Sequence, residues 1–173
     1  MTVAKQRDTK PSAKTAFVTH DHAGCAAGTL HRAQEAAREK GVRMTPVRQR
    51  ALEILLEEHR AMGAYEVLDR LAADGFGNQP PVAYRALEFL VENGLAHRVR
   101  RLNAFAACMR PGEDHAPVFL ICRACGAVAE AGADEVRSAL LDAAARHNFT
   151  VERATVEALG LCPRCVDGAE AVL

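Results

Sequence analysis

Residues 80–108 read PPVAYRALEFLVENGLAHRVRRLNAFAAC. Pro80 and Pro81 stand where a helix starts, because proline lacks the N–H that a first turn leaves unpaired. Ala83, Ala86, Leu87 and Leu90 follow at helical spacing, and Asn93-Gly94 closes the segment. Two short apolar runs come next, Leu95–Arg100 and Ala104–Cys108, joined by a basic turn at Arg101-Leu102-Asn103. They predict a two-stranded hairpin. A helix feeding a hairpin is the end of a winged helix-turn-helix, whose last helix before the hairpin enters the DNA major groove. Arg98, Arg100 and Arg101 fall on the hairpin, where phosphate contacts belong. Pattern alone also fits a helical domain capped by a hairpin with no DNA role.

Upstream, residues 30–40 have helical composition, and Gly41 stands at the position after a helix end. Met44-Thr45-Pro46 predicts a sharp start, with Thr45 as N-cap and Pro46 in the first turn. Val47, Ala51, Ile54 and Leu55 share one face of that helix; Arg48 and Arg50 lie off it. A third helix after Gly63 turns Val67, Leu68 and Leu71 inward, and Gly75-Phe76-Gly77-Asn78 is a turn. Residues 29–110 therefore form the first domain. Residues 1–28 lack periodicity and read as a flexible tail. His20, His22 and Cys25 within it could in principle hold a metal, though three such residues on an arm are more often chance.

After Arg110-Pro111-Gly112 the character changes, with a hinge expected at 111–116. A strand at Val118–Ile121, its hairpin partner at Ala127–Ala131, an amphipathic helix at Asp134–Asn148 and a strand at Phe149–Ala158 predict a small second domain over 117–166, ahead of a tail at 167–173. The helix carries Val136, Leu140, Leu141 and Ala144 on its apolar side. The fold class is thus α+β. A unit of about 55 residues has too little core to be comfortable alone and calls for a metal staple, a partner subunit or both.

Charge follows the same division. The 173 residues hold 22 Lys+Arg and 22 Asp+Glu. Residues 1–110 carry 17 basic and 12 acidic side chains, a net of +5, and residues 111–173 carry 5 and 10, a net of −5. The front half suits a polyanion; the back half does not. No apolar run reaches the ~18–20 residues of a membrane span, and the polar start from Met1 to Lys14 lacks a secretory signal. The expectation is a cytoplasmic protein without a membrane partner, in which thiols stay reduced.

Cys122-x2-Cys125 and Cys162-x2-Cys165 are the specific chemical signal. Each pair sets two thiolates on one knuckle, and four thiolates saturate a tetrahedral zinc ion, the mark of a structural site. The 36 residues between the pairs exceed the usual zinc-ribbon spacing of roughly 15–20, so the pairs must meet across the domain. A thioredoxin-like redox role lacks its βαβ context. His97, Cys108, His115 and Glu130 are also potential ligands, but spacing does not unite them. Singly, each reads as a surface residue or, for Cys108, a small buried hydrophobe.

Taken together, Met44-Thr45-Pro46-Val47-Arg48, Ala64-Tyr65, Ala83-Tyr84-Arg85-Ala86-Leu87 and His97-Arg98-Val99 resemble the ferric uptake regulator superfamily. Residues 119–128, FLICRACGAV, with Gly160-Leu161-Cys162-Pro163-Arg164-Cys165, look most like its zinc uptake regulator branch. The resemblance spans roughly residues 30–166. It implies a homodimeric, zinc-responsive repressor that binds palindromic operators of zinc-uptake genes when zinc-loaded and releases them when zinc is scarce. It implies two zinc ions per subunit: a structural one on Cys122, Cys125, Cys162 and Cys165, and a regulatory one on His97, Cys108, His115 and Glu130. It also implies DNA contacts. Tyr65 approaches bases, Arg85 grips guanine bidentately, and Tyr84 contacts phosphate or packs. Where the family has Ser or Thr, this chain has Val82, which shifts weight to Arg48, Arg98 and Arg100.

One thiolate, two imidazoles and a carboxylate suit zinc better than iron or manganese. The rival reading is an iron- or peroxide-sensing repressor of the same superfamily. A zinc deaminase would need Glu two residues after a ligand, upstream of Pro-Cys-x-x-Cys. Neither His-x-Glu nor Cys-x-Glu occurs, and no nucleophile–base pair is evident. The expectation is therefore no enzyme and no small organic substrate.

Overall fold

The computed structural model describes Phe17 and residues 21–113, 115–132 and 134–169. Four helices open the chain: α1 (His22–Glu39), α2 (Pro46–Leu56), α3 (Ala64–Ala73) and α4 (Pro80–Glu92). The hairpin β1 (Ala96–Val99) and β2 (Ala104–Ala107) follows, joined by a 3-10 turn at Arg100–Leu102. Then come β3 (Val118–Cys122), β4 (Val128–Ala131), α5 (Asp134–Ala145), β5 (Val156–Gly160) and α6 (Pro163–Ala169). The architecture is α+β, as expected. None of the described helices is long and apolar enough to cross a membrane.

Helix α1 begins eight residues before the expected start, so the tail boundary at residue 28 falls inside it. Asp21 supplies the reason: its carboxylate accepts from the Gly24 N–H at 3.1 Å and caps the first turn. Thr45 does occupy the N-cap of α2, but its side chain makes no capping bond.

The first core is continuous through α1–α4 and the hairpin. Ala33, Leu52, Leu55, Val67, Leu71, Leu87 and Leu90 are fully or almost fully buried in it. The apolar face foreseen for α4 points inward, which leaves Tyr84 and Arg85 outside.

In the second unit the order is β4-β3-β5, with β3 antiparallel to β4 and parallel to β5. The last strand is shorter and later than expected, Val156–Gly160 rather than Phe149–Ala158, and α5 ends at Ala145. Asn148, in the left-handed region at φ 53°, turns the chain away from that helix. Short α6 was not foreseen; Pro163 in its first turn starts it.

The apolar face of α5 is only partly covered among the described residues. Val136, Leu140 and Leu141 remain 41%, 37% and 43% exposed, and β5 is an edge strand of the described sheet.

Several contacts join the units. The segment after α2 bridges them: Met62 pairs with Phe105 of β2, Arg60 pairs with Ala127, and the Val128 N–H donates to the His59 carbonyl at 3.0 Å. The hairpin itself packs Val99 and Ala106 onto Phe119, Ile121 and Val128.

Candidate metal centres and nucleic-acid interface

Parallel pairing explains how distant cysteines meet. Cys122 ends β3 opposite Gly160 at the end of β5, so the turns after both strands emerge side by side. Gly126, at φ 74°, closes the first knuckle, and its N–H donates to the Cys122 carbonyl at 2.9 Å. The Cys165 N–H donates to the Cys162 carbonyl at 2.9 Å in the second. The Sγ atoms of Cys122, Cys125, Cys162 and Cys165 all lie within 4.8 Å of one another. All six cysteines of the chain are free thiols.

The backbone is already arranged for negative sulfur. The N–H groups of Cys162 and then Cys125 point at Cys122 and lower its pKa to about 6. Hydrogen bonding to the sulfurs of Cys162 and Cys125 raises that of Cys165 to about 12. Adjacent thiols resist ionising together, and a divalent cation removes that conflict. Four soft, convergent donors complete a tetrahedron, which fits a closed structural zinc site.

The second set is assembled from three parts of the chain. His97 lies on β1, Cys108 directly follows β2, His115 lies in the connection and Glu130 lies on β4. Their ligand atoms also fall within 4.8 Å of one another. Cys108 Sγ is 3.6 Å from His115 Nε2, His97 Nε2 is 3.6 Å from Glu130 Oε2, and His115 Nε2 is 2.7 Å from Glu130 Oε1.

Backbone groups orient these donors. Contact between His115 Nδ1 and the Glu113 carbonyl at 2.9 Å favours the Nδ1–H tautomer, which turns the Nε2 lone pair inward. The Met109 N–H donates to Glu130 Oε2 at 2.9 Å. Buried His97 Nε2 has no hydrogen-bond partner, and Glu130 Oε1, for all its closeness to His115, lies off hydrogen-bond alignment. Orphaned lone pairs converging on one point fit a cation there.

Charges respond to the same geometry. Burial pushes the His97 pKa down and the Cys108 thiol far up. The Glu130 carboxylate raises His115. Burial opposes the charge on Glu130, but His115, His97 and the Met109 N–H outweigh it and hold its pKa below the usual carboxylate value.

The expected DNA contacts separate into two groups. Tyr65 and Tyr84 meet edge-to-face with centroids 6.4 Å apart, and Tyr65 is 64% exposed. Arg85 is exposed on the same helix as Tyr84. Arg100 is exposed at the hairpin turn, and Arg98 donates to Asn103 Oδ1 at 2.9 Å. Arg48 is engaged inside the domain: its guanidinium lies 3.6 Å from the Phe89 ring centroid and donates to the Arg43 carbonyl at 2.7 Å. Val82 is half-buried.

Of the N-terminal residues, His20 lies outside the described residues. Cys25 is half-buried on α1, and the His22 ring lies 4.5 Å from that of His59. His22 and Cys25 join neither cluster. The supports from Glu113 and Met109 are main-chain groups, for which residue identity carries no signal.

The chain is similar to known proteins in sequence and fold. The zinc uptake regulation protein of Escherichia coli (strain K12) is 34% identical over 139 residues, 80% of this chain and 81% of that protein. The protein of the same name from Mycobacterium tuberculosis (strain H37Rv) is 32% identical over 127 residues, 72% of this chain and 95% of that one. A solved structure of a zinc uptake regulator complexed with zinc and DNA superposes with a TM-score of 0.78 at 33% identity, covering 84% of this chain and 97% of that chain. The profile of the ferric uptake regulator family matches residues 39–159. By sequence and fold alike, the chain belongs to the ferric uptake regulator family.

Proposed function

We propose that the protein is a zinc-responsive transcriptional repressor, acting in the cytoplasm as a homodimer on palindromic operators of zinc-uptake genes. One observation carries the reading: the set His97, Cys108, His115 and Glu130 draws its donors from the hairpin, the connection and the sheet of the second unit. A zinc ion held by these four residues would tie the DNA-reading unit to the dimerisation unit, while the four cysteines would staple the latter. The domain limits are then the winged helix from the start of α1 at His22 to residue 110, the hinge at 111–116 and the dimerisation unit at 117–166.

The dimer is supported by the partly exposed apolar face of α5 and by the edge position of β5 in the described sheet, since such surfaces favour a partner. Two copies of α4 in a dimer must lie about 34–36 Å apart to enter successive major grooves. Tyr65 and Arg85 then face base edges, Tyr84 packs on Tyr65 or meets phosphate, and Arg98 and Arg100 face phosphates. Without the inter-domain ligation the hinge samples many angles, and only part of the ensemble has the right spacing.

The experiment is a gel shift with the promoter of a zinc importer from the same genome, across buffered free zinc. Retardation that grows with zinc supports the proposal. The same response to iron or manganese and none to zinc would overturn it in favour of the iron-sensing relative.

A further inference from the structure

Three residues that face one another across the second sheet each grip the hairpin in a different way. Phe119 on β3 is in register with Glu130 on β4 and with Glu157 on β5. Directly opposed residues share a face of the sheet, and here that face meets β1 and β2. Glu130 belongs to the inter-domain donor set and accepts from the Met109 N–H, just beyond β2. Phe119 is fully buried against Val99 and Ala106, with its ring 5.6 Å from that of His97.

Glu157 is absorbed by neither metal set. Its Oε1 accepts from the Arg100 N–H at 2.7 Å and its Oε2 from the Arg101 N–H at 2.9 Å. These N–H groups open the 3-10 turn and have no partner within it. A carboxylate that takes both makes two charge-assisted hydrogen bonds, across more than fifty residues of sequence.

We propose that Glu157 is a positioning residue for DNA recognition: it anchors the turn of the wing to the dimerisation sheet and so aims Arg98, Arg100 and Arg101. The proposal rests on the DNA-binding reading above. Its logic is that of a lever. The turn is stiff within itself, because Asn103 in the left-handed region accepts from Arg98. The donor set holds the open end of the hairpin through His97 and Cys108. Phe119 holds the strands through Val99 and Ala106, and Glu157 is the anchor of the turn itself, at the far end. It touches neither the ligand atoms nor the base-reading surface, so its effect is on orientation rather than on metal affinity. An opposite role would have the carboxylate occupy amides that could otherwise take a DNA phosphate; its removal would then tighten binding.

The test compares full-length zinc-loaded wild type with Glu157→Ala and Glu157→Gln. Amide exchange by NMR should quicken about tenfold at Arg100 and Arg101 in Glu157→Ala, with the paired amides of β1 and β2 unchanged and Glu157→Gln intermediate. Zinc content and competition against a chelator should match wild type. Operator affinity should fall about five- to tenfold, as loss of a charged hydrogen-bond pair predicts. Preference for the operator over a duplex with its half-sites moved by one base pair should narrow, which a merely local structural role would not cause. Unchanged exchange, unchanged spacing preference, or tighter operator binding by Glu157→Ala would each overturn the proposal. If wild type itself binds no operator with zinc, the reading beneath the proposal has failed, and the exchange data tell that case apart.

Discussion

Replacing Cys108 by Ser removes the only sulfur from the inter-domain set while leaving its surroundings almost intact. Cys108 is completely buried, and its N–H donates to the Leu95 carbonyl at 3.0 Å, so the backbone after β2 stays fixed. Its Sγ sits 3.6 Å from His115 Nε2. The shorter serine side chain sets its oxygen back from the other donors, and a neutral hydroxyl replaces a thiolate in the bound state. Losing a group that merely supports a ligand costs about 10–100-fold in metal affinity. Losing the ligand itself should cost at least about 100-fold, or roughly 2.7 kcal/mol. The fold should lose about 1–3 kcal/mol for burying the hydroxyl. Competition against a chromophoric chelator, with thermal unfolding alongside, separates the two effects. The expected outcome is a folded dimer whose tighter four-cysteine site still fills, and whose second site and operator binding need at least about 100-fold more free zinc. A Cys108→Ser protein with wild-type zinc and operator curves would refute the assignment.

Three further outcomes follow from the geometry. Cys122→Ser should unfold or monomerise the second unit, because stapling supplies what its small core lacks; loss of cooperative melting and a halved mass by light scattering would register it. Arg85→Ala should cost about 1–3 kcal/mol on the cognate operator and relax preference at one guanine; equal losses on random DNA would contradict base readout. Zinc affinity of the inter-domain set should fall with acidification. Burial keeps Cys108 protonated at neutral pH, so binding must expel that proton, and the loss should be about tenfold per pH unit. Glu130 raises the pKa of His115, so a second proton competes as pH falls below that value and the dependence steepens. A flat titration from pH 8 to 6 would contradict the thiol's role.

What the residues revealed beforehand was the local part. The two CxxC knuckles, the proline start and inward face of α4, and the basic hairpin are patterns that short segments impose on themselves. The start of α1 was obscured because Gly24 and Gly28 weaken helical composition, and the Asp21 cap and the packing of Ala26 and Thr29 offset that. The proposed ligand set of His97, Cys108, His115 and Glu130 has no spacing to read. It comes from docking a hairpin on a sheet, and only the resemblance to a family singled those residues out. Arg48 illustrates the reverse: an arginine off the apolar face reads as exposed, yet Phe89 on a neighbouring helix gives its guanidinium a place to stack. Glu157 was invisible for the same reason as the ligand set, since the groups it holds are main-chain amides of a distant turn.

The central claim is that one bridging site couples zinc to DNA, and linkage allows it to be measured directly. Zinc affinity of the second site should be determined by chelator competition twice, with and without saturating operator duplex. Because coupling is reciprocal, operator should tighten zinc binding by the same factor by which zinc tightens operator binding. Equal zinc affinities in the two titrations would mean that the site binds metal without gating DNA, and the account would be wrong.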